Sequence, residues 1–260
     1  MAEAAGLYYE LHGPEAAPPL ILSSGLGGSA TYWAPNLPAL AQAYRVLVYD
    51  HRGPGRSDRA LPDVVTVEDM AGDLLALMDA LDIESARFIG HALGGMIGIE
   101  AAIASTRIDS LVVVNGWRKL DPHTRRCFDV RLDLLRDSGP AAFLHAQPLF
   151  LYPPDWISAN SDRLADEAAH QLANFPGRAT VEKRIAAVCA YDPKLIDITA
   201  TANWLVIGTR DDMLVPWRSA VDVATPLAWA NKAVLDWGGH ACNVTDPDRF
   251  NRLVLDFLRS

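Results

Sequence analysis

Six short apolar, β-branched runs, separated by helical patterns, limit what this chain can fold into. They are Pro18–Gly25 (PPLILSSG), Tyr44–Asp50 (YRVLVYD), Ala86–Ala92 (ARFIGHA), Ser110–Gly116 (SLVVVNG), Asn203–Thr209 (NWLVIGT) and Lys232–Gly239 (KAVLDWGG). Several are apolar at consecutive positions, so both faces of such a strand must be covered. Helices supply the cover. The stretch from Thr66 to Asp82 opens with Thr66 as N-cap and Asp69 at the third helical position, and Met70, Leu74, Leu75, Met78 and Leu81 recur at helical spacing. Further helices are predicted over Leu93–Ala104, Trp217–Val223 and Asp246–Leu258. The β-α-β-α order predicts an α/β fold, a mostly parallel doubly wound sheet.

One block breaks the rhythm. From Trp117 to Asp197 there are helical patches parted by DSGP, LYPPDW and NFPGR and no strand pattern, which predicts a helical cap or lid inserted into a core of residues 1–116 and 198–260. A chain of 260 residues, half of them apolar, is long enough for one such domain with its insertion. No apolar run approaches the roughly 18 residues of a membrane span, and MAEAAGLYYELHG lacks the basic-then-apolar pattern of a signal sequence. Three scattered cysteines (Cys127, Cys189, Cys242) make neither a disulfide frame nor a zinc cluster, so a reducing cytoplasm is the expected location. A net charge of −9 without basic clusters argues against nucleic acid. It also gives an anionic substrate no overall attraction, so any such preference must be local.

Open α/β sheets bind ligands at the carboxyl ends of their strands, and the loops there are distinctive. The first carries a Gly-rich turn, SSGLGGSATYW, whose backbone N–H groups can face an anion. The second carries DHRGPGRSD, the third GHALGG, the fifth TRDDMLVP and the sixth GGHACNV. GHALGG has the outline of a nucleophile elbow, G-x-S-x-G, with Ala92 at the nucleophile position. In chain order these are oxyanion loop, elbow, acid and His, the order of the α/β-hydrolases.

The sequence resembles the α/β-hydrolases from Gly25 to Gly116 and from Asn203 to Ser260, through Asp50–Ser57, the elbow, DDMLVP and GGH. Asn115–Phe128 (NGWRKLDPHTRRCF), Ala146–Trp156 (AQPLFLYPPDW) and Gly238–Pro247 (GGHACNVTDP) extend a closer resemblance, to the hydrolases of the Rut pathway of uracil degradation, over nearly the whole chain. Members of that group are described as aminoacrylate or carbamate hydrolases. The resemblance implies that a GHALG elbow is natural to them.

His240 follows two glycines where the fold places its base, and Asp212 lies four residues before Pro216, the interval that the resemblance implies for the acid. Asp211 is the fallback, with capping of the following turn as its other reading. The acid would hold the imidazole in the tautomer that leaves its other nitrogen free for the pocket. Ala92 is either architecture alone or a turn that still offers Leu93 N–H as an oxyanion donor beside Leu26 N–H. His91 is expected to pack or hydrogen-bond within the elbow, and Asp50, Arg52, Gly53, Gly55 and Ser57 to lock their own loop. Cys242 reads as small buried filler rather than a substitute nucleophile. Trp117, Arg126 and Tyr152 are expected to line the substrate cavity, and of Arg125 and Arg126 one is expected exposed and the other inward-facing or salt-bridged.

The resemblance implies a hydrolase acting on a very small, labile carbon–nitrogen compound of uracil breakdown, carbamate or 3-aminoacrylate, and His240 beside Ala92 predicts that it works through water activated by His240. No metal or organic cofactor is called for. The expected partner is the small-molecule substrate, with no nucleic acid or membrane, and a homodimer is left open. Two other readings stay open: a serine ester or lactone hydrolase inactivated at Ala92, and a non-catalytic ligand-binding protein of hydrolase shape.

Overall fold

The computed structural model describes residues 2–193 and 203–259. Eight strands form one sheet: β1 (Glu3–Ala4), β2 (Leu7–His12), β3 (Pro19–Ser23), β4 (Arg45–Tyr49), β5 (Ala86–His91), β6 (Ile108–Val114), β7 (Asn203–Thr209) and β8 (Asn231–Leu235). The order across the sheet is β1-β2-β4-β3-β5-β6-β7-β8. From β4 to β8 every pairing is parallel, while β1 and β2 join antiparallel at one edge. This is an α/β-hydrolase sheet.

Successive side chains of a strand point to opposite faces, and here both faces are covered. Leu111 and Val113 of β6 enter one apolar core, and Val112 and Val114 enter the other. Among the described residues the helices are α1 (Leu37–Leu40), α2 (Val67–Ala80), α3 (Leu93–Ala104), α4 (Pro122–Asp133), α5 (Pro140–Leu151), α6 (Pro154–Ala159), α7 (Ser161–Ala173), α8 (Arg178–Ala190), α9 (Trp217–Asp222), α10 (Cys242–Thr245) and α11 (Pro247–Arg259). None is long and apolar enough to cross a membrane. Helices α2 and α3 cover the first core, and α11 covers the second. The capping box forms: Thr66 Oγ1 accepts from Asp69 N–H at 3.1 Å, and Asp69 Oδ2 accepts from Thr66 N–H at 2.9 Å.

Strands β1 and β2 were absent from the apolar runs. LYYELH alternates polar and apolar residues, because this strand lies near the sheet edge and only Leu7 is fully buried. Helices α4 to α8, with a π-helical turn over Leu134–Ser138, lie between β6 and β7. The expected cap–core boundary at 197/198 lies outside the described residues.

Candidate active site

Strand β5 ends at His91, and α3 begins at Leu93. The chain must reverse in a single residue, and Ala92 does so with φ 49° and ψ −114°. Positive φ costs a non-glycine residue roughly 1–2 kcal/mol. The flanking glycines make the turn feasible. A Cβ on Gly90 would collide with the Gly94 carbonyl and Gly95 nitrogen, and one on Gly94 with the carbonyls of Ser23 and Ser24. The start of α3 is therefore pressed against the end of β3, beside the Gly-rich loop. Leu93 is the first residue of α3, so its N–H has no partner within the helix. A Cβ on Gly25 would stand 3.6 Å from the Ala92 methyl and 3.1 Å from His91 Nδ1.

The Gly-rich loop is held from the helices that lie between β6 and β7. Buried Arg184 of α8 donates to Leu26 O through Nε (3.2 Å) and Nη2 (3.1 Å), and to Arg52 O through Nη1 (3.4 Å). Nη2 also donates to His51 Nδ1 at 2.9 Å. An arginine cannot accept, so His51 carries its proton on Nε2 and donates to Ser23 Oγ at 3.0 Å. Burial, and secondarily the Arg184 charge, holds the His51 imidazole well below its usual pKa, in keeping with a neutral ring. Burial lowers the Arg184 pKa to about 10, which still leaves it cationic at neutral pH. On the other side of the loop, Asp50 Oδ1 accepts from Ala30 N–H at 2.8 Å, while its carboxylate also holds Arg56 and its carbonyl accepts from Ser57. Arg52 pairs with Asp73 across the outside of that loop.

His240 is 2 % exposed, and its Nδ1 lies 2.8 Å from Asp212 Oδ2. The other Asp212 oxygen accepts from the N–H groups of Leu214 (2.7 Å) and Val215 (2.9 Å). The carboxylate is thus fixed from two sides and holds the proton on Nδ1. Asp211 lies elsewhere: its carboxylate accepts from Gly238 N–H at 3.2 Å and Gly239 N–H at 2.9 Å, pinning the turn before His240. Capping of the turn that follows the pair, expected of Asp211, falls to Asp212. The His240 carbonyl accepts from His91 Nε2 and from Asn115 Nδ2, both at 2.8 Å. Donating from Nε2 leaves His91 neutral with an unprotonated Nδ1, which burial favours by pushing its pKa well down.

Cys242 is buried, and burial pushes its thiol up to about 12, far from the thiolate a nucleophile requires. Trp117 is buried against Phe128 in the main core, with ring centres 6.1 Å apart. Tyr152 is buried beside Trp156, Ala241 and Val244, against the His240 loop. Arg125 and Arg126 are both exposed. The expectation that Arg126 lines the cavity is corrected by helix phase: α4 buries Thr124, Cys127, Phe128 and Arg131, and both arginines fall outside that face.

The helices between β6 and β7 reach the acid loop, the His240 loop and the Gly-rich loop. In α4, His123 Nε2 lies 2.7 Å from Met213 O and Thr124 Oγ1 donates to Leu214 O at 2.9 Å, both in the acid loop. Leu151 O, at the end of α5, accepts from Ala241 N–H at 3.0 Å, and Arg184 of α8 holds the Gly-rich loop. Arg184 and Asn115 are the site residues that sequence reasoning missed. Asn115 lay in plain view in the NGW motif, and its φ of 49° shows it sharing the tight turn after β6.

Sheet order, elbow and the Asp212–His240 pair define an α/β-hydrolase. Consistently, the sequence pattern of the alpha/beta hydrolase fold matches residues 18–137. A relative in Stutzerimonas stutzeri, named "Putative carbamate hydrolase RutD", is 50 % identical over 97 % of this chain and 96 % of its own. One of the same name from Caulobacter vibrioides is 49 % identical over 97 % and 95 %. Among solved structures, the enol-lactonase from Burkholderia xenovorans superposes with a TM-score of 0.87 at 28 % identity, covering 98 % of this chain and 96 % of that one. The chain belongs to the RutD family of α/β-fold hydrolases.

Proposed function

We propose that the chain hydrolyses a small, labile carbon–nitrogen product of uracil degradation, carbamate or 3-aminoacrylate, without a covalent intermediate. The observation that carries this reading is the Asp212–His240 pair at 2.8 Å retained beside an elbow that presents only the Ala92 methyl. His240 Nε2, free of the Asp212 bond, takes a proton from a water standing where a serine hydroxyl would lie. In carbamate that water bonds to carbon, the C–N bond breaks, and the His240 proton leaves with ammonia, giving bicarbonate. In 3-aminoacrylate a proton first moves from nitrogen to C2; water then adds at C3 of the imine, and the C3–N bond breaks to give 3-oxopropanoate and ammonia. Leu93 and Leu26 N–H support the oxygen on which charge develops. Tyr152, packed against the His240 loop, closes the site on that side.

The names of the relatives support the carbamate chemistry. The chemistry of the substrate supports the missing nucleophile. A serine hydrolase stripped of a triad member keeps roughly 10³–10⁴-fold catalysis over water, which is useful only for a compound already prone to decompose. Stopped-flow ammonia release from carbamate and from freshly generated 3-aminoacrylate tests the reading. Release faster than the spontaneous rate is expected for one of them; equal rates with and without the protein for both would overturn it.

A further inference from the structure

Asn243 is fully buried in α10, three residues after His240, and uses both ends of its amide across the molecule. Its main-chain carbonyl accepts from Asn36 Nδ2 at 3.0 Å. A carbonyl can only accept, so that bond fixes which way the Asn36 amide faces. Asn36 Oδ1 is left to accept from Asn243 Nδ2 at 3.2 Å. Asn243 Oδ1 is then the acceptor for the Tyr32 hydroxyl, at 2.8 Å. Asn36 Nδ2 also donates to Asn251 Oδ1 of α11 at 2.9 Å, and Asn36 and Asn251 are themselves buried. Such a network, satisfied throughout, admits one arrangement of the segments it joins.

The segments are two sides of the site. Tyr32 and Asn36 lie on the chain leaving the Gly-rich loop, Tyr32 in a 3-10 turn over Ala30–Trp33 and Asn36 at the start of α1. Asn243 belongs to the turn that carries His240. That turn is closed on itself: Val244 N–H donates to Ala241 O and Thr245 Oγ1 to Gly238 O, both at 2.8 Å, so Asn243 and His240 move together. His91 and Asn115, from the ends of β5 and β6, hold the His240 carbonyl. Asn243 supplies the anchor toward the Gly-rich segment. The Tyr32 ring completes the contact, stacking on His91 with centres 4.9 Å apart, while the His91 ring meets that of His240 edge-on at 4.6 Å.

We infer that Asn243 is a positioning residue for the hydrolysis, holding His240 at a set distance from the Gly-rich loop through Tyr32 and Asn36. The inference rests on the hydrolytic reading above and adds a residue to it. Asn243 meets no reacting atom and acts only through where His240 stands. A base must lie within hydrogen-bond reach of the proton it takes, and a misplacement of about 1 Å can cost roughly 10²-fold in rate. Binding of the substrate does not depend on that reach, so the loss falls on kcat and not on KM.

The proton that His240 Nδ1 shares with Asp212 gives a low-field proton resonance, identified by its loss in His240→Ala, that reports the seat of the ring with or without turnover. In Asn243→Ala this resonance is expected to shift, and kcat for ammonia release to fall about tenfold or more, with KM within about twofold of wild type. Tyr32→Phe keeps the ring on His91 and removes only the hydroxyl. It is expected to shift the same resonance, to lower kcat severalfold and to add nothing to Asn243→Ala, because both break one bond. An Asn243 that merely stabilises the fold would lower the unfolding midpoint and leave the resonance and kcat at their wild-type values. An unmoved resonance or an unchanged kcat in folded Asn243→Ala, or in Tyr32→Phe if the alanine variant does not fold, would overturn the inference. A wild type that releases no ammonia would instead overturn the hydrolytic reading, and the resonance separates the two failures.

Discussion

At Ala92 one methyl group decides which chemistry is open to the site. The residue keeps the positive φ of a nucleophile turn, with His91 below it and Leu93 opening α3. Ala92→Ser is therefore expected to place a hydroxyl beside a base already oriented by Asp212. It should create activity toward an activated ester, with a covalent adduct on treatment with an organophosphate, while ammonia release fails to rise because the hydroxyl takes the place of the water. A serine variant that forms no adduct would show that the elbow is only architecture. Asp212→Asn should lower ammonia release about 10²–10⁴-fold by favouring the wrong tautomer; the equivalent change in a serine protease costs about 10⁴ in kcat. Asp211→Asn should cost less, since Asp211 holds the Gly238–Gly239 turn and not the ring. At this scale much was legible. Asp212 was preferred to Asp211 because it stands at the interval before Pro216 that the family resemblance implies for the acid, and His240 bonds to Asp212. Arg126 was misplaced, because a pair of adjacent arginines gives no indication of helix phase. The buried face of α4 is marked instead by Thr124, Cys127, Phe128 and Arg131 at helical spacing.

Among the elements, α3, α4 and α8 do the most to shape the site. The first nine residues of α3, Leu93–Ala101, are all buried, as expected of a helix packed between the sheet and α2. Helix α8 contributes through one side chain, Arg184, which reaches the Leu26 carbonyl across 158 positions of sequence. No local pattern could have shown that contact, and the same holds for Asn115, which meets the His240 carbonyl 125 residues away. Strand β2 was missed for a different reason: near the sheet edge it has one face to bury, so LYYELH never becomes a continuous apolar run. Arg184→Met is expected to leave Leu26 O and His51 Nδ1 without their donor. Unfolding measurements should show a loss of about 2–4 kcal/mol, and kcat should fall by roughly tenfold or more as the Gly-rich loop loosens. An unchanged kcat in the folded variant would mean that the loop needs no support from α8.

Taken whole, the molecule buries two neutral histidines in its interior, His51 and His91, both held well below their usual pKa of 6.5 by burial. The unfolded chain takes protons on both near pH 6.5, whereas the folded chain does not. Their contribution to stability is therefore present above that pH and is lost as pH falls, by about 1.4 kcal/mol per unit for each. Urea unfolding at pH 7.5 and 5.5 should show the loss, and His91→Gln should reduce it; an unaltered slope in that variant would contradict the assignment. Fold class was the most legible feature of the sequence, because strands such as β3, β4, β5 and β6, buried at consecutive positions, leave few architectures. The burial of Arg131 in α4, with no carboxylate paired to it among the described residues, was not legible at all, since charge alone does not report burial. The account as a whole depends on His240 acting on water without a nucleophile. The most direct test is stopped-flow ammonia release by wild type and His240→Ala on the labile substrate that the wild type turns over. The account predicts acceleration by the wild type and the spontaneous rate for His240→Ala; equal acceleration by both would contradict it.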